Sequence, residues 1–367
     1  MLSGIMAAAS HQPSTRWPPP NWTCTVTCSA PTGSFPPSAL RDGITALQDG
    51  QCFYCCSSVL YALWGPDLEA TRLRADVARS IAAAAAAGDL HLEFAVHAAA
   101  YTVAIQLADP AGAARSLGRL HAIVDVIGAP QMTWTVGWFE AFAATMQARF
   151  ADAERLGRET VELGLALGAA DGVAVFAGQA AVLATIAGHH AELPPIVAQA
   201  IGAGPVKLTY HLAHAIVSVA SGPKAAADGF RNVPPDLMWM TSMLGYAILA
   251  IELEDLDAAA HLLAVIEPYA GQVVTNLGPA AAYTGRLASL LGRHDVADQY
   301  LNTAFEIVDA FDWDYHRAAI LMARAAARHR SFGQIDDAAR AWLQTAAGIC
   351  VARGLPGMLA TIGELSR

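Results

Sequence analysis

Residues Leu287–Phe305 read LASLLGRHDVADQYLNTAF. Gly292 interrupts an apolar pattern of helical spacing, and after it Ala297, Leu301 and Ala304 follow at intervals of four and three, which is one face of a second helix. Gly285, seven residues before Gly292, gives the first helix a small residue at the same level. The stretch therefore reads as helix, tight turn, helix, with small residues where the two helices cross.

The same frame extends outward over most of the chain. It places turns at Gly65, Asp109, Ala148, Gly188, Ser221, Glu254, Gly292 and Gly333, at successive spacings of 44, 39, 40, 33, 33, 38 and 41 residues. The first-helix small site is then Ser58, Thr102, Ala141, Ala181, Ala247, Gly285 and Ala326, with His214 the exception. The second-helix small site is Ala70, Ala114, Ala153, Ala226, Ala259, Ala297 and Ala338, with Leu193 the exception. Small residues belong at such places because paired helix axes approach to about 8–10 Å and a long side chain would push them apart. Phe230, Leu263, Leu301 and Trp342, four residues on, fill the next layer. The expectation is an all-α solenoid of about eight antiparallel helix pairs over residues 58–367, each unit contacting its neighbours.

Residues 1–57 do not share this pattern. They hold seven prolines, five of the six cysteines and four charged residues. An irregular segment is expected there, either disordered or translated from a non-native frame or start. The apolar part of its first residues, MLSGIMAAASHQ, lacks the basic flank and the length of a secretory leader.

Composition narrows the function classes. A net charge of −10, with 22 Lys and Arg against 32 Asp and Glu, opposes a nucleic-acid surface, which needs a basic face for phosphates. No stretch reaches the roughly 20 uncharged apolar residues of a membrane helix, so a cytoplasmic location is expected. Only Lys207 and Lys224 are lysines; the bias to Arg, Ala and Gly points to GC-rich coding DNA and a bacterial source.

The phrases QARFADAERLGRETVELGLALG (147–168), LASLLGRHDVADQYLNTAF (287–305) and RSFGQIDDAARAWLQTA (330–346) carry a likeness to known proteins, as do the hinges GAADG and GLPGM. Over residues 58–366 the chain resembles the degenerate tetratricopeptide-like C-terminal region of bacterial signalling ATPases, of the LuxR type and of the type fused to class III adenylate cyclases. The resemblance implies a curved stack whose concave groove takes a protein or peptide partner or a small inducer. It also implies a nucleotide-binding module and a helix-turn-helix elsewhere in the protein. No GxxxxGK[ST] loop for phosphates occurs in this chain, and a fragment of a larger regulator is expected.

Most of the chemistry-bearing residues have a structural role. Cys24, Cys28, Cys52 and Cys55 form C-x3-C and C-x2-C pairs, the weak outline of a thiolate zinc site, and they are the sole metal candidates; no cofactor is expected. His189 and His190 point apart on a helix, and His211 and His214 share a face that no acid or cysteine completes. Glu252, Glu254, Asp255 and Asp257 lie at a helix junction, as do Asp312 and Asp314 beside His316. Acids in such places, with Asp295 and Asp336, serve as caps. The aromatic stripe Trp134, Trp138, Phe142, with Phe139 alongside, and the run Phe311, Trp313, Tyr315 read as packing. Cys350 reads as a buried thiol. The leading expectation is a scaffold with no catalytic residue; the alternative is an all-helical enzyme with a pocket between repeats that uses Asp312 and Asp314.

Overall fold

A computed structural model describes residues 70–168, 230, 239–274 and 277–366 of the chain. The predicted turns at Gly65, Gly188 and Ser221 lie outside the described residues, together with their small sites Ser58, Ala181, Leu193, His214 and Ala226. Among the described residues the protein is all-α, with twelve α-helices and no strand. They are α1 (Ala70–Ala87), α2 (Leu90–Gln106), α3 (Pro110–Ile127), α4 (Pro130–Met146), α5 (Phe150–Ala166) and α6 (Trp239–Glu252), followed by α7 (Leu256–Ile266), α8 (Ala280–Leu290), α9 (His294–Ala310), α10 (Asp314–Phe332), α11 (Asp337–Arg353) and α12 (Pro356–Leu365).

One turn recurs. At Ala108, Ala148, Glu254, Gly292, Asp312 and Gly354 the backbone takes φ between +51° and +71°. In each case the next residue donates its N–H to the carbonyl five residues back, at 2.8–3.0 Å, and then becomes the N-cap of the following helix. This is a Schellman closure with no spare residue, and it folds each helix sharply back onto its predecessor. Four of the six join the helices of a pair: α2 to α3, α4 to α5, α6 to α7 and α8 to α9.

The turn fixes which small residue meets the partner helix. Four residues after the N-cap stand Ala113, Ala153, Ala259 and Ala297, exposed by 5%, 2%, 0% and 1%. Leu301, Ala304 and Val308 continue the α9 face at full burial, and Gly285 of α8 sits so close that an added Cβ would lie 2.7 Å from Leu301 Cγ. Ala141 and Ala247 are fully buried at the matching level of α4 and α6. Burying each Leu or Ile of these faces, such as Leu262, Ile266 and Leu287, contributes about 1.5–3 kcal/mol.

Four predicted sites are displaced by one residue. Ala114 is exposed and Ala113 is buried, because Asp109 is the N-cap and Ala108 the turn residue. Thr102 likewise yields to buried Tyr101. Ala338 and Ala326 are half-buried beside fully buried Ala339 and Ala325. For Ala338 the cause is a longer link, Gly333 to Asp336, in which Gly333 closes α10 and Asp336 caps α11. Ala70 is half-buried at the start of α1, against Leu73 and the α6–α8 core.

First helices of successive pairs also touch, α6 with α8 and α8 with α10. The described chain departs from strict neighbour packing at one seam. Between α7 and α8 lies a connector, described over residues 267–274 and 277–279, and its Val273 N–H donates to Gln106 O of α2 at 2.8 Å. Gln106 Nε2 donates to Gln272 Oε1 at 2.9 Å. Tyr101, Ala104, Ile105 and Met146 join Ala270, Val273, Ala281, Ala304 and Trp313 in one core. Helix α2 is apolar nearly all round, so one neighbouring pair does not cover it.

Candidate functional site

The seam gathers the aromatic residues singled out in the sequence, but it divides the α4 stripe. Phe139 meets Tyr101 with ring centroids 4.5 Å apart, and Phe142 meets Trp313 edge-on at 6.3 Å. Trp313, only 2% exposed, stacks on Phe311 at 4.3 Å and adjoins buried His316. Trp134 and Trp138 instead pack edge to face at 6.2 Å, and Trp134 lies over Gly164 of α5. Both indole nitrogens are buried without a hydrogen-bond partner. Burial pushes the Tyr101, Tyr283 and Tyr315 phenols upward from their ordinary value. Tyr283 donates to Leu277 O at 2.9 Å and so pins the connector to α8.

The acids proposed for catalysis are committed to partners. Asp314 pairs with Arg317 and, at 2.7 Å, with Arg353 of α11. Arg317 also reaches Asp309 and Asp312, each at 3.2 Å. Asp312 itself occupies a turn position, at φ +54°. Asp255 caps α7 by accepting from Ala258 N at 3.0 Å, and Asp336 caps α11 by accepting from Ala339 N at 2.9 Å while it pairs with Arg328. Glu252 pairs with Arg286 at 3.4 Å and Glu254 with Arg330 at 3.6 Å. Asp257 and Asp295 lie in first helical turns, where a carboxylate suits the dipole.

Cys24, Cys28, Cys52 and Cys55 and the histidines 189, 190, 211 and 214 lie outside the described residues. Among the described residues no three His, Cys, Asp or Glu side chains converge as metal ligands, and no helix is long and apolar enough to cross a membrane. Cys350 is fully buried, which raises its thiol pKa.

One partly buried polar cluster does not stand out in the sequence pattern. Arg119 of α3 donates through Nε and Nη2 to the two oxygens of Glu93 in α2, each at 2.7 Å. His97, one turn on, holds Nε2 at 3.9 Å from Glu93 Oε1, and its buried Nδ1 has no partner. The Arg119 hydrogen bonds hold the Glu93 carboxyl below its usual range against the opposing effect of burial. Burial lowers the His97 pKa and outweighs the attraction of Glu93. The i, i+4 placement of Glu93 and His97 in an otherwise apolar helix was the available signal. Bidentate arginine leaves this carboxylate occupied, which suits clamping α2 to α3 more than proton transfer.

Compared with known proteins, the chain matches no family model and no curated sequence.

Proposed function

We propose that the chain is a non-catalytic, tetratricopeptide-like helical-repeat scaffold that binds a protein or peptide partner, or a small inducer, on its helix faces. The observation that carries the reading is the repeated pair unit. The same αL closure, N-cap and buried alanine recur at Ala108/Ala113, Ala148/Ala153, Glu254/Ala259 and Gly292/Ala297. Stacks of one such unit present long, similar surfaces suited to extended partners. The capping and ion-pair roles of Asp255, Asp312, Asp314 and Asp336 agree with it. The physiological setting would be a cytoplasmic bacterial signalling protein in which the helical stack relays partner or inducer binding to an ATPase, cyclase or transcriptional output.

Selection of a random-peptide display library on the folded full chain tests the proposal. Enriched peptides binding with one-to-one stoichiometry support it. Enrichment no greater than on the urea-unfolded chain overturns it.

A further inference from the structure

Arg324, near the middle of α10, is half-buried between aromatic rings. Its guanidinium carbon lies 4.2 Å from the ring centroid of Trp342 in α11 and 5.6 Å from that of Phe305 in α9. Stacking of this kind covers the faces of the planar cation and leaves its in-plane N–H edge for hydrogen bonds. Among the described residues Arg324 has no hydrogen bond or ion pair, and Asp298, the carboxylate that it feels, lies beyond pairing distance. One turn along, Arg328 is already paired with Asp336 and covers Phe332 at 4.9 Å, yet Phe332 remains 59% exposed. The face thus combines one oriented, unpaired cation with an exposed aromatic ring two turns away, about 12 Å along the helix.

We propose that this α9–α10–α11 face binds a carboxylate side chain of a protein partner on Arg324, with an apolar residue of the same segment resting on Phe332. A single unpaired guanidinium matches a monoanionic carboxylate, because its fork donates to both oxygens. A dianionic phosphate or a polyanion would demand the second cation, and Arg328 is committed to Asp336. The overall charge of −10 also opposes polyanions. An extended segment spans about 12 Å with four residues, so the partner carries its acid and its apolar residue at i and i+4.

The inference rests on the scaffold reading only in expecting a protein partner. The probe is acetyl-Glu-Ala-Ser-Ala-Phe-amide, titrated into the full chain by calorimetry while the Trp342 indole N–H is followed by NMR. Saturable binding that shifts this resonance is expected. Replacing the peptide Glu by Gln, or introducing Arg324→Gln with helical circular dichroism unchanged, weakens binding about tenfold or more; Arg324→Lys keeps the charge but loses the stacked fork and gives an intermediate loss. Phe332→Ala weakens it by a smaller factor. Equal affinity for the Gln peptide, retained affinity in Arg324→Gln, or stronger shifts with inorganic phosphate alone overturns the proposal. If the Glu peptide fails here while library-selected peptides bind elsewhere on the chain, only the carboxylate site falls.

Discussion

The αL turns make opposite predictions for three substitutions, and each magnitude follows from what surrounds the residue. An L-residue with a Cβ costs about 1–2 kcal/mol in this conformation, whereas glycine sacrifices about 0.5–1 kcal/mol of extra chain entropy on folding. At Gly292, φ +71°, a Cβ would meet nothing within 4 Å, so Gly292→Ala measures backbone strain alone. A loss of about 1 kcal/mol is expected. Glu254, φ +51°, has a 71% exposed side chain, and its 3.6 Å pair with Arg330 is a surface contact. Such a pair contributes a few tenths of a kcal/mol, so Glu254→Gly gains about 0.5 kcal/mol. Ala148 is 5% exposed. There the relief is offset by a lost buried methyl of about 0.8 kcal/mol, and Ala148→Gly is close to neutral. Urea unfolding at pH 7, with midpoints compared at constant m, reads all three. Full stability in Gly292→Ala, or equal destabilisation by Glu254→Gly and Ala148→Gly, would refute the turn assignment.

Three further outcomes follow from the packing and the titrating groups. Gly285→Ala brings a methyl to 2.7 Å from Leu301 Cγ and destabilises by about 1–3 kcal/mol; adding Leu301→Ala leaves room for that methyl, so the double variant loses less than the sum of the singles. Because burial lowers the His97 pKa relative to the unfolded chain, the unfolded state binds the proton first. Stability present above about pH 6.5 is therefore lost as the pH falls below it, and His97→Gln flattens the slope of unfolding free energy against pH in that window. Buried Cys350 resists iodoacetamide in the native protein and is labelled in urea, as peptide mass spectrometry of the two states will show.

Much of this fold was legible in the sequence. The turns at Ala148, Glu254 and Gly292, and the alanines five residues after them, come directly from the spacing of small and large residues. The frame slipped where two signals look alike. Asp109 resembles a turn residue but caps α3, while unremarked Ala108 takes the positive φ. A second alanine beside the true site, at 113 and 114 and at 338 and 339, removed the contrast that would have fixed the register. The seam was not legible, because its contacts join residues 166 apart, such as Gln106 and Gln272. Spacing also does not show which arginine meets which acid. The roles of Asp314 and Glu93 depended on Arg353 and Arg119 from other helices.

The most direct measurement of the central claim is calorimetry of the full chain with a library-selected peptide, because heat separates binding from turnover. For a scaffold, injection peaks saturate at one peptide per chain and return to baseline, unchanged in height by Asp314→Asn once folding is confirmed. A baseline displaced in steady state by continuing reaction, and restored by Asp312→Asn or Asp314→Asn, would contradict it and establish the helical enzyme instead.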